Sequence, residues 1–120
     1  MRLGMMLATL FTVVFGVSAW AGMEEGEAAY KRGDYATALR ECQPLAEQGN
    51  HVAQMMLGRM YLEGRGVPQD VEQAEFWFIL AAASGDPTAE TLRNYIARDY
   101  MTDDQVGRAA REAWYWKPKK

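Results

Sequence analysis

The stretch YLEGRGVPQD, Tyr61 to Asp70, places two glycines around an arginine, then a proline, then a long apolar run from Val71. A phosphate-cradling loop of the P-loop kind needs a strand before it and a G-x-x-x-x-G-K-[ST] spacing. Here the preceding residues have helical periodicity, the lysine is missing, and Gln69 stands where a dinucleotide fingerprint would need its third glycine. A corner between two helices accounts for each residue instead. Gly64 ends a helix in the left-handed conformation, Gly66 takes a second unusual backbone angle, and Val67 folds back under the loop. Pro68 blocks helix continuation, and Asp70 caps the next helix at its positive end.

Outward from this corner the chain reads as all helix. Apolar positions recur mostly at three and four residues, over roughly 23–32, 35–48, 50–63, 70–84, 87–98 and 102–115. The segments between them are RGD, QGN, EGRGVPQD, SGDP and MTDD, which is cap and turn chemistry. Pro44 falls inside the second stretch and removes the bond to the Arg40 carbonyl, so a kink or break is expected there. The helix after the corner, VEQAEFWFILAAASG, is apolar almost all round from Phe76 to Ala83, which requires burial on several sides.

The chain also repeats itself. PLAEQGNHVAQ at 44–54 aligns with LAAASGDPTAE at 80–90 at a shift of 36, placing Ala46 on Ala82, Gly49 on Gly85 and Ala53 on Ala89. The same shift carries Ala38 onto Ala74. AYKRGDY echoes MYLEGRG at a shift of 31, so the unit is helix–turn–helix with five residues added in one loop. On these residues, AQMMLGRMYLEGRGVPQDVEQAEFWFILAAASGD resembles a Sel1-like repeat, a relative of the tetratricopeptide repeat with a longer inter-helix loop. The matching positions are Ala53, Leu57, Gly58, Tyr61, Gly64, Gly66, Val67, Asp70, Ala74, Trp77, Ala81, Ala82 and Gly85. Gln73 departs from a frequent lysine, beside Glu75, which reads as a surface position. The best repeat spans 50–85, a degenerate copy 23–49, and a half repeat with a closing helix 86–116. The resemblance implies an all-α superhelix that binds proteins or peptides along the groove lined by the first helix of each unit.

The ends and the composition bound the setting. Residues 1–21 read as a signal peptide: Arg2, an apolar core, then Ser18-Ala19-Trp20-Ala21 with small residues where cleavage needs them. The rival reading is an uncleaved membrane anchor, the one case in which membrane association is expected. Residues 22–120 then form one repeat domain, exported to a periplasm or secreted. They carry 12 basic and 16 acidic residues, a formal charge of −4, which disfavours nucleic acid and argues against an anionic membrane, the terminal KPKK apart. One cysteine, Cys42, allows no internal disulfide and reads as a buried small apolar residue, with intermolecular pairing the alternative.

No catalytic, cofactor or metal constellation emerges. His51 is the sole histidine and reads as a solvated residue at a helix start. Glu72 and Glu75 share a helix face that reads as solvated. Trp114, Tyr115 and Trp116 suggest sealing of the exposed end of the stack by one or two of them, or a glycan-holding cluster in a cell-wall accessory; a self-stacking structural protein is a further alternative. In the helix 50–63, Leu57, Gly58 and Tyr61 are expected to face the paired helix. Met55, Arg59 and Leu62, with Glu63 beside them, form a second stripe, matched by Ala28 and Lys31 before and Tyr95 and Arg98 after. Such a mixture of Met, Leu, Tyr and Arg suits a partner interface; the plainer reading buries Met55 and Leu62 and leaves Arg59 solvated. Cleavage after Ala21 predicts that the exported protein begins at Gly22; mass spectrometry finding Met1 retained would leave the anchor reading.

Overall fold

The computed structural model describes residues 22–120; the leader assigned to 1–21 lies outside the described residues. Residues 22–31 are helical (α1), followed by α2 Tyr35–Glu47, α3 His51–Glu63, α4 Val71–Ala83, α5 Pro87–Tyr100 and α6 Asp103–Tyr115. Among the described residues no strand occurs. The fold is all-α: α1 pairs with α2 and α3 with α4, while α5 and α6 both lie against α4 rather than against each other. The central helix is α4, which packs on α3, α5 and α6, while α2 packs on α3.

Local chemistry fixes these boundaries. The Asp34 side chain accepts from the Thr37 amide, Asn50 from Val52 and Ala53, Asp70 from Gln73, and Asp86 from Thr88 and Ala89. Thr102 and Gln105 close a reciprocal capping box on α6. The caps Asp34 and Asp70, and likewise Asn50 and Asp86, stand the same 36 residues apart as the internal repeat. Gly64 follows α3 at φ 69°, and Gly66 sits in the loop at φ 78°. A side chain on Gly66 would also meet the Met60 Cε at 2.9 Å and the Tyr35 carbonyl at 3.1 Å. Pro44 does not break α2: its exposed ring lies on the solvent side, near enough to the C-terminus that one missing bond is tolerated.

Two apolar clusters hold the hairpins together. The larger joins Ala38, Cys42 and Ala46 of α2, Ala53, Leu57 and Met60 of α3, and Phe76, Trp77 and Leu80 of α4, with Val67 of the loop against it. The smaller joins Ala74 and Phe78 of α4 to Ile96 of α5, with Met55, Tyr61 and Leu62 of α3 along its edge. Between α3 and α4 the fully buried Phe78 ring lies directly on Gly58, where a Cβ would collide with three ring carbons. Between α1 and α2, Gly26 lies equally close against the Cys42 sulfur. Cys42 is fully buried, its Sγ 3.1 Å from the Met56 sulfur, and burial pushes its thiol up to about 11. That closes the intermolecular disulfide alternative for the folded chain, because a thiol held protonated inside the core meets no partner.

Helical glycines at two sites should therefore respond oppositely to one methyl group. Gly58→Ala adds a Cβ into the Phe78 ring and is expected to destabilise by about 1–3 kcal/mol despite better helix propensity. Gly107→Ala on α6, where the added Cβ meets only the Arg111 guanidinium at 3.5 Å, is expected to stabilise by about 0.5–1 kcal/mol. Denaturant titration of the two variants checks both signs.

Candidate functional site

The corner loop is closed on itself. The Gly64 and Arg65 amides both donate to the Met60 carbonyl, the Asp70 amide donates to the Tyr61 carbonyl at 2.9 Å, and the Gln69 side-chain amide donates to the Leu62 carbonyl at 2.9 Å. These donors, which a phosphate would require, are spent on finishing α3. The loop is thus a structural joint, and it delivers Gln69 and Val71 to the edge of α5.

That edge forms the candidate site. A pocket of about 270 Å³ is lined by Leu62 at the end of α3, Gln69 and Val71, and Tyr95, Ile96 and Tyr100 of α5. Its wall is mostly apolar, since Ile96 is fully buried and Leu62 half-buried beneath the two tyrosines. Tyr95 and Tyr100 meet edge to face, with centroids 5.4 Å apart and hydroxyls 2.9 Å apart. The hydrogen bond to Tyr100 raises the Tyr95 pKa. Residues five apart do not normally touch on a helix; these two meet because Tyr100 is the last residue of α5, before the chain turns extended at Met101.

The stripe read from the sequence divides in three. Leu62 and Tyr95 come together in the pocket. Met55 is half-buried against the α4–α5 cluster and serves packing. Arg59 and Glu63 turn toward α1: the Arg59 guanidinium lies 5.9 Å from the Tyr30 ring centre, and the Tyr30 hydroxyl donates to Glu63 at 3.0 Å. Arg65 joins them, 2.9 Å from Glu63 and over the rings of both Tyr30 and Tyr35. Desolvation, followed by the bond to Glu63, raises the Tyr30 pKa. Arg98 contributes to neither group, being paired with its neighbour Asp99 at 3.0 Å. Ala28 and Lys31 are exposed on α1. Of the expected packing residues, Leu57 and Gly58 are buried and Tyr61 is half-buried between the two clusters. Ala53, Ala74 and Ala81 are fully buried, Trp77 nearly so, and Ala82 and Gly85 lie toward the surface at the end of α4.

One expectation is corrected. Glu75 is not on a solvated face with Glu72. Glu72 pairs with Arg108 of α6 at 2.7 Å, whereas Glu75 is fully buried, its Oε1 3.4 Å from the Arg93 Nε of α5. Its Oε2 has no hydrogen-bond partner among the described residues. Desolvation raises its pKa against the opposing pull of Arg93. The terminal WYW divides: Trp116 packs on the larger core beside Ala113, as the sealing reading expected of one or two of the three, while Trp114 and Tyr115 are 83% and 78% exposed and form no single cluster with it. His51 is exposed, with its Nδ1 3.7 Å from Asp86. No group of metal-ligating residues occurs among the described residues. None of their helices is long and apolar enough to cross a membrane.

The fold and its loop define a class, that of the helix–turn–helix repeat proteins. Within it, residues 51–86 match the Sel1 repeat, so the chain contains one such repeat. No solved structure matches it significantly. Sel1 repeats in general mediate protein–protein interactions and are not catalytic.

Glu75 supplies a pH test. An acid whose pKa rises on folding holds its proton more tightly in the native state. Its contribution to stability is complete below the ordinary carboxylate range and is lost as pH rises through the raised value. Glu75→Gln cannot ionise, so its stability relative to the wild type should increase from acidic to neutral pH. Urea midpoints that differ by a constant amount across that range would show that its pKa does not rise on folding.

Proposed function

We propose that this protein is an exported, non-catalytic adaptor that binds a protein or peptide on the face made by α1, α3 and α5. The observation that carries the reading is the pocket between Leu62, Val71, Tyr95 and Tyr100. It is an apolar recess rimmed by two tyrosines, on the helices that a superhelical repeat presents to its groove. Tyrosine provides broad amphipathic contact at little rotamer cost, and a half-buried recess accepts a single apolar anchor from an incoming peptide. The Tyr30–Arg59–Glu63–Arg65 group lies at the α1 end of the same face and supplies charge for orienting a partner. The apolar leader with its Ser18-Ala19-Trp20-Ala21 supports a periplasmic or secreted setting.

Peptides selected from a displayed library on the wild-type protein should carry an apolar or aromatic anchor. Tyr95→Ala should weaken their binding by about tenfold or more. Arg59→Ala should have a smaller effect that declines with added salt. Melting temperatures should stay within a few degrees, since both side chains are exposed. Unchanged affinity in the Tyr95→Ala, Arg59→Ala double variant would place the binding site elsewhere.

A further inference from the structure

The C-terminal end of the fold differs from the rest in charge and in surface. Residues 108–120 carry five basic side chains and one acidic, a net +4, whereas residues 22–107 carry seven basic and fifteen acidic, a net −8. Arg108 and Lys119 are paired with Glu72 and Glu47, so the positive charge left free at this end is that of Arg111, Lys117 and Lys120. At the basic end Trp114 and Tyr115 stand out from α6 more than three quarters exposed, which is unusual for side chains of this size. The tail beyond them is tied down. Trp116 is set into the core, Pro118 lies over Gly49, and Lys119 holds Glu47 twice: its backbone amide to the carbonyl at 2.8 Å and its Nζ to the carboxylate at 3.2 Å. Lys117 and Lys120 flank this anchor, and with Arg111 they have no carboxylate within ion-pair distance among the described residues. Glu112 is the one acidic side chain of the segment.

We propose that this end, Trp114 and Tyr115 with Lys117 and Lys120, docks the protein onto an anionic phospholipid surface. Indole and phenol rings partition to the boundary between headgroups and acyl chains, apolar body inward and polar tip in the wet layer. Lysines beside them reach anionic headgroups while their stems lie along the apolar boundary. The acidic remainder is repelled by the same field. Neighbouring residues on a helix diverge by about 100°, so Trp114 and Tyr115 do not make one flat platform for a sugar ring. A fluid interface requires no common plane. A second copy docked end to end would bring like charges together, and nucleic acid would meet the acidic body.

The test uses the full chain with vesicles of phosphatidylcholine alone and of phosphatidylcholine mixed with phosphatidylglycerol. Sedimentation should show binding to the mixed vesicles only, reversed by salt, with a blue shift of tryptophan emission. Trp114→Ala with Tyr115→Ala should abolish it at unchanged helicity. Lys117→Gln and Lys120→Gln should each reduce partitioning by about fivefold at low salt. Absence of binding to the mixed vesicles overturns the proposal. So does binding that persists in the aromatic double variant, which would assign it to the leader, and so does quenching of the exposed tryptophan by soluble oligosaccharide without vesicles.

Discussion

The contact on which the rest depends is the Phe78 ring packed against the backbone of Gly58. Without a Cβ at that position α3 and α4 approach closely enough for Leu57, Met60, Trp77 and Leu80 to share one core. The same closeness shapes the loop between them. Its ends must meet across a short distance, which is why Gly64 and Gly66 are left-handed and why the Asp70 amide bonds back to Tyr61. From that hairpin α4 reaches both α5 and α6, so the pocket beside Tyr95 and the basic terminus are both set by one helix.

Helix α4 also carries the structure's electrostatic tension. Glu75 is enclosed between helices with a single cationic neighbour at 3.4 Å and one oxygen without a hydrogen bond. A buried pair of this kind is weak evidence for stability, since desolvation offsets much of the attraction. The face of α5 that meets α4 is the one that brings Arg93 to Glu75 and Ile96 to Phe78. That packing in turn sets Ile96 beneath the pocket and Tyr95 at its rim. The charge inside the core and the recess on the surface thus share one structural cause.

What the residues determined by themselves is local. Six helices were legible to within about two residues, because Asn50, Asp70, Asp86 and Thr102 cap within their own first turn and glycines end helices through their own backbone angles. The 36-residue repeat carried the hairpin order and the family, since fixed spacings of small residues report how closely neighbouring helices pack. Cys42 was readable as a core residue from its place on the apolar side of α2.

What only the tertiary structure decided is the fate of side chains whose surroundings come from distant segments. Glu72 and Glu75 share a helix and a charge, yet one meets Arg108 at the surface and the other Arg93 in the interior, depending on how α5 and α6 lie across α4. Met55, Leu62 and Arg59 share one stripe, but α5 covers the first two and the Tyr30 ring draws away the third. Trp114, Tyr115 and Trp116 are consecutive, and only the last lies where the core has room for it. Periodicity places a residue on a face of its helix. Whether that face meets water, an arginine or a ring depends on contacts between residues far apart in the chain, and no local pattern encodes them.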